Sequence, residues 1–211
     1  MINTASKFCA AGALLIGSLI INNAQASDFM REGGRTAQPV GHYEFCQRMP
    51  AECQPHRQST VPLPLSRNAW TLISAINEEI NSSIIAITDQ ELWGIQEYWS
   101  YPERFGDCED YVLEKRRRLV EAGIPAANLL ITVVRQTNGD GHAVLTVRTD
   151  RGDLVLDNLT DAILPWSATD YAFLKRQSAE HAGRWIDIDD ARSPSVSSVS
   201  STRQQSSSSW R

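Results

Sequence analysis

The chain predicts an α+β fold, with helices first and an antiparallel sheet after, on three observations. Apolar residues recur at helical spacing between residues 66 and 122. From Leu129 onward the runs become strand-like and rich in branched residues. Tight turns join those runs, and consecutive strands joined by tight turns must be antiparallel.

Ser66 is placed to cap a first helix whose apolar stripe is Trp70, Ile73, Ile76 and Ile80. Thr88 with Glu91 three residues on is a capping-box pattern, and Leu92, Ile95 and Trp99 supply a second stripe that Pro102 ends. A third helix opens at Asp107 or Cys108 and runs to about Ala122, where Gly123 and Pro125 stop it. Strands follow over Leu129–Arg135, His142–Arg148 and Leu154–Asp157, separated by turn clusters at 137–141 and 149–153. Residues 171–183 predict a last helix, with Trp185–Ile188 packing back or adding a short strand. Residues 27–65 read as an irregular lead-in carrying Gly33-Gly34, prolines and a cysteine pair.

The ends of the chain read differently from its middle. Residues 1–26 have the features of an export signal: Lys7 as the positive flank, an apolar run from Phe8 to Ile21, and the small-x-small site Ala24-Gln25-Ala26. That run falls short of the ~20 apolar residues a spanning helix needs, so the expectation is cleavage near Ala26 and no stable membrane anchor. Residues 191–211 are Ser-rich with almost no large apolar side chains, a tail expected to stay unordered. Residues 27–190 then make one domain of ordinary size.

Removal of the signal removes Cys9 and leaves Cys46, Cys53 and Cys108. In an exported protein a Cys46–Cys53 disulfide is the economical reading. The alternative, a zinc site, would have to recruit His42 or His56 at unusual spacing. One thiol remains, and an odd free cysteine in an oxidising compartment demands a reason. The net charge of −5 argues against a nucleic-acid partner. The one basic run, Lys115-Arg116-Arg117-Arg118, reads as the solvated face of a helix.

The reason for the free thiol lies in Gly106-Asp107-Cys108-Glu109-Asp110-Tyr111, Gly141-His142-Ala143-Val144 and Leu156-Asp157-Asn158. Cys108 sits at a helix N-terminus, where unpaired N–H groups and the helix dipole favour thiolate. Antiparallel strands bring the start of the second and the end of the third to one sheet edge, so His142 and Asp157 meet there. A thiol nucleophile, a base and a carboxylate that orients the base are the groups covalent hydrolysis requires. Asp107, Glu109 and Asp110 work against this, because nearby negative charge raises a thiol's pKa. Two accounts stand: ordinary helix capping, or a bound hard cation such as Ca2+ that inverts the local electrostatics. Asn138-Gly139-Asp140-Gly141 lacks further ligands and reads as a turn. Trp93 or Trp99 would supply an oxyanion donor or wall the cleft, or else pack in the core. Asn158 is open between turn residue and site contact.

These three motifs, with Phe45-Cys46, Pro50-Ala51-Glu52-Cys53 and Tyr98-Trp99, resemble the bacterial transglutaminase-like cysteine peptidases over about 43–188. The resemblance implies a papain-like, transglutaminase-type core with Cys108, His142 and Asp157 as catalytic triad. It also implies calcium at Asp107, Glu109 and Asp110, and a periplasmic endopeptidase acting on a cell-surface or periplasmic protein such as an adhesin. An inner-membrane receptor responding to cyclic di-GMP is the regulatory partner it implies. Two rivals keep the same site: a transglutaminase or amidase passing the acyl group to an amine on wall peptides, and a non-catalytic calcium- or peptide-binding module.

Overall fold

The computed structural model describes residues 28–193, so the export signal and the Ser-rich tail beyond Ser193 lie outside the described residues, while Arg192 and Ser193 bond back to Thr169 and Phe173. Seven antiparallel strands form one sheet: β1 (Glu32–Thr36), β4 (Leu129–Arg135), β5 (Gly141–Thr149), β6 (Gly152–Leu156), β7 (Leu164–Pro165), β8 (Ala172–Ser178) and β9 (His181–Ile188). Their spatial order is β1-β9-β8-β4-β5-β6-β7. Three longer helices accompany it: α1 (Val40–Arg48), α2 (Arg67–Ser83) and α4 (Cys108–Glu121). A single turn, α3 (Asp89–Leu92), and a parallel pair, β2 (Ile85–Ala86) and β3 (Phe105–Gly106), lie between α2 and α4. This is the α+β architecture expected, with the helices ahead of every strand of the main sheet except β1.

Local chemistry explains the elements that matched. Ser66 Oγ accepts the Ala69 N–H and caps α2, and Ile73, Ile76 and Ile80 are buried. The Thr88–Glu91 capping box is formed in both directions. The helix α4 lies between α2 and β5, so its Tyr111, Val112, Leu113 and Leu119 are buried against both. On the sheet, Val134 faces His142 and Leu156 faces Leu145, which carries Asp157 just beyond the end of β6 and toward His142.

Five expectations need correction. The lead-in is not irregular: β1 closes the far edge of the sheet against β9, and α1 carries the first cysteine of the pair. Trp70 is exposed rather than part of the buried stripe of α2. The second stripe never becomes a long helix, because α3 stops after one turn and Gly94 takes φ 75°. The Asp89 carboxylate then accepts the Tyr98 N–H and folds the loop back, which buries Trp99 while leaving Trp93 and Ile95 exposed.

Residues 171–183 are not a helix; β8 and β9 form a hairpin. A bulge at Leu174, skipped in the pairing of β8 with β4, shifts the side-chain phase. Phe173 and Arg176 are therefore both buried at a spacing of three, which imitates helical period in the sequence. The basic run is not a solvated face either. At 100° per residue four consecutive helical positions sweep most of the circumference, so they cannot share one side. Lys115 and Arg116 point inward, where Nζ of Lys115 donates to the Asp157 carbonyl (2.8 Å) and Nε of Arg116 donates to the Leu129 carbonyl (3.2 Å). Only Arg117 and Arg118 face outward, paired with Glu114 and Glu79.

Candidate active site

Cys108 is the first residue of α4, held at the mouth of a cleft of about 400 Å³ that it shares with Glu97, Trp99, Glu109, Val133, His142 and Ala143. The Ala143 N–H reaches the Cys108 sulfur, so the chain segment that carries His142 also touches the thiol. His142 Nε2 bonds Asp157 Oδ1 at 2.9 Å, and both side chains are only 4% exposed. That bond uses Nε2, which leaves Nδ1 as the ring nitrogen for a partner in the cleft. Asp157 Oδ1 also accepts the Leu159 N–H (3.0 Å). Burial pushes the Asp157 carboxyl up, but its bonds from His142, Tyr171 and Leu159 outweigh that and bring it below the ordinary value.

The acidic residues around Cys108 do not cap the helix. Asp107 occupies the N-cap position without a side-chain cap bond. Its Oδ2 instead accepts the Asp89 N–H at 3.3 Å, and its Oδ1 is buried without a partner. Carboxylate oxygens of Asp89, Asp107 and Glu109 lie within 4.8 Å of one another. Asp110 sits beside this trio, its Oδ1 fixed by the Ser100 N–H (2.7 Å) and its Oδ2 buried without a partner. Gly106 permits that packing, since a Cβ there would lie 2.7 Å from Asp110. Burial pushes all four carboxyls up, and repulsion from neighbouring carboxylates adds to it at Asp107, Glu109 and Asp110, taking Glu109 to about 9 and Asp110 to about 8. A set of hard, converging oxygens with orphaned atoms and disfavoured charge is suited to a hard divalent cation. Asp89 was not legible as part of it; its only sequence signal is an acidic residue inside the capping box.

The same charges act on the thiol. Burial, then the Glu109 carboxylate, push Cys108 well above its ordinary value, and the Ala143 N–H pulls the other way. Cys108 Sγ donates to Glu109 at 3.0 Å.

The remaining candidates separate from this centre. Cys46 and Cys53 are joined by a disulfide, which takes both sulfurs out of any zinc set with His42. Burial, then Arg116, lower His42 to about 3, and its Nδ1 accepts the Trp185 Nε1–H. Trp93 does not line the cleft, whereas Trp99 does, with its Nε1–H donated to Glu97 (3.0 Å). Asn158 lies in a different hollow, beside Asn81, Thr160 and Asp161.

The family model of the bacterial transglutaminase-like cysteine proteinases matches residues 32–193. Among solved structures, Legionella pneumophila LapG is similar at 30% identity over 56% of this chain and 68% of its own, with a TM-score of 0.48. Calcium-bound LapG matches at 28% identity over 63% of this chain and 75% of its own, TM-score 0.49. EGTA-treated LapG gives 28%, 58%, 72% and 0.49 for the same quantities. No match was found among curated proteins. With the family model spanning nearly every described residue and the α+β architecture in place, the chain belongs to the bacterial transglutaminase-like cysteine proteinases, a family of cysteine peptidases with a papain-like fold.

Proposed function

We propose that this peptidase is an exported, calcium-dependent endopeptidase that works through Cys108, His142 and Asp157. The observation that carries the reading is the buried 2.9 Å bond from His142 to Asp157, on a segment whose next residue, Ala143, touches the Cys108 sulfur. His142 Nδ1 takes the thiol proton and the sulfur attacks the scissile carbonyl. The developing oxyanion lies at the head of α4, within reach of the Cys108 N–H. His142 then gives the proton to the leaving amine, and the acyl-enzyme forms. A water deprotonated by His142 hydrolyses the thioester and restores the thiol. Asp157 stays ionised throughout, holding Nε2–H and stabilising the imidazolium.

Asp89, Asp107 and Glu109 would hold calcium, with Asp110 beside them. Such an ion supplies positive charge that compensates the carboxylates and makes a thiolate at Cys108 affordable. Export is supported by the Ala24-Gln25-Ala26 site and by a disulfide suited to an oxidising compartment. Among the described residues no helix is long and apolar enough to cross a membrane. The substrate we propose is a protein of the periplasm or cell surface, an adhesin being one such, and a cyclic di-GMP receptor is the proposed regulator.

The test compares surface-protein termini, by mass spectrometry, in cells carrying the wild-type chain or Cys108→Ala. New termini are expected only with wild type, and chelator should abolish them. Identical termini in both strains would sink the endopeptidase reading. Adding a primary amine distinguishes a free-acid product from acyl transfer.

A further inference from the structure

Both oxygens of Asp157 are held, and one of the two side chains that hold them lies outside the three residues above. Oδ2 accepts the Tyr171 hydroxyl at 2.5 Å. Tyr171 immediately precedes β8, and its ring lies against the His142 imidazole, centroids 5.7 Å apart at an interplanar angle of 59°. One side chain thus touches both the base and the carboxylate that orients it. The terminal torsion of an aspartate is broad, so the plane of its carboxylate is set by whatever bonds its two oxygens. His142 and Leu159 hold Oδ1; Tyr171 alone among the described residues holds Oδ2.

We propose that Tyr171 is a positioning residue of the peptidase: its hydroxyl fixes the Asp157 carboxylate in the plane that meets His142 Nε2–H, and its ring bars the imidazole from swinging out of the cleft. The proposal rests on the Cys108–His142–Asp157 reading. The phenol suits the task because burial, then the bond and charge of Asp157, push its ionisation up, so it remains a donor across the working range. The other charged groups facing Asp157 are His142 from β5 and Lys115 from α4. Asp161 stands near Lys115 and Asp170 near Tyr171. Removing the hydroxyl deletes one of the bonds that keep Asp157 anionic, so Asp157 takes up its proton at higher pH.

The experiment uses the full chain with calcium, labelled with 15N-histidine. It follows the His142 Nε2–H resonance, assigned by its loss in His142→Ala, against pH. In parallel, the rate of Cys108 alkylation by iodoacetamide is read by peptide mass spectrometry. Tyr171→Phe keeps the ring and its packing. It should lose the resonance at a pH about one unit higher, and alkylation near neutral pH should slow about tenfold, the worth of one hydrogen bond to a charged group. Tyr171→Leu, which also removes the ring, should slow it further. If Tyr171→Phe matches wild type in both readouts while Asp157→Asn slows alkylation, Tyr171 merely packs and the proposal is overturned. If Asp157→Asn itself alkylates at the wild-type rate, the three-residue reading fails and takes the role of Tyr171 with it.

Discussion

The thiol of Cys108 donates to the carboxylate of Glu109 across 3.0 Å, so the candidate nucleophile is bonded to a group that disfavours its reactive form. That same carboxylate converges with Asp89 and Asp107. A cation drawing Glu109 into its coordination shell would remove the repulsion and leave the Ala143 N–H as the near partner of the sulfur.

Calcium should therefore control the thiol. Alkylation of Cys108 by iodoacetamide at neutral pH is expected to be at least tenfold faster with calcium than with chelator. Calcium at a hundred times its Kd should stabilise the fold by about 2.7 kcal/mol. Asp89→Asn and Asp107→Asn should weaken calcium binding in calorimetry. A calcium-independent alkylation rate would remove the cation from the account.

His142→Ala in the presence of calcium should slow the same alkylation by about a hundredfold or more, since general-base assistance is typically worth ~100- to 10,000-fold. The variant's rate should then rise with pH as an unassisted thiol does. A profile unchanged by the substitution would mean that the imidazole does not serve Cys108.

The disulfide closes a loop of seven residues' separation and ties α1 to the Pro50–Cys53 turn. Loop-closure entropy for so short a ring is worth about 2.5 kcal/mol. Cys46→Ser with Cys53→Ser, or reduction of the native protein, should lower Tm by roughly 5–10 °C. A Tm unchanged by reduction would show that the segment is held by packing alone.

Lys115 gives a pH dependence of opposite sense to a surface lysine. Burial lowers it to about 7, with Asp157 and then Asp161 pulling it back up. Because the folded value lies below the unfolded one, the unfolded chain binds more protons between about 7 and 10.5. Stability from this group therefore rises as pH climbs through that window, and the cost of charging the buried amine is fully present below it. Urea denaturation of Lys115→Met should lose that rise. An equal slope in wild type and variant would locate the titration elsewhere.

How much was legible follows from the range of each signal. The sequence by itself determined what is local: the caps at Ser66 and Thr88, the start of α4 at Cys108, and the three strands from Leu129 to Leu156. It also determined that His142 and Asp157 would share an edge, because tight turns leave antiparallel strands no other arrangement. Tertiary structure decided what depends on residues far apart in the chain. The bulge at Leu174 disguised β8 as a helix, since only its register against β4 reveals the extra residue. Inward positions for Lys115 and Arg116 were set by the carbonyls of Asp157 and Leu129, acceptors that no neighbouring residue announces. Asp89 joins Asp107 and Glu109 only because the parallel pairing of β2 with β3 returns the chain beside α3. Tyr171 meets Asp157 for the same kind of reason: β8 lies on the other side of β4 from β5, and Ala172 and Gly141 both pair with Arg135, so Tyr171 and His142 arrive at one end of the sheet. Periodicity and capping report on a few consecutive residues, whereas a site is assembled from elements that meet only once the sheet has closed around its core.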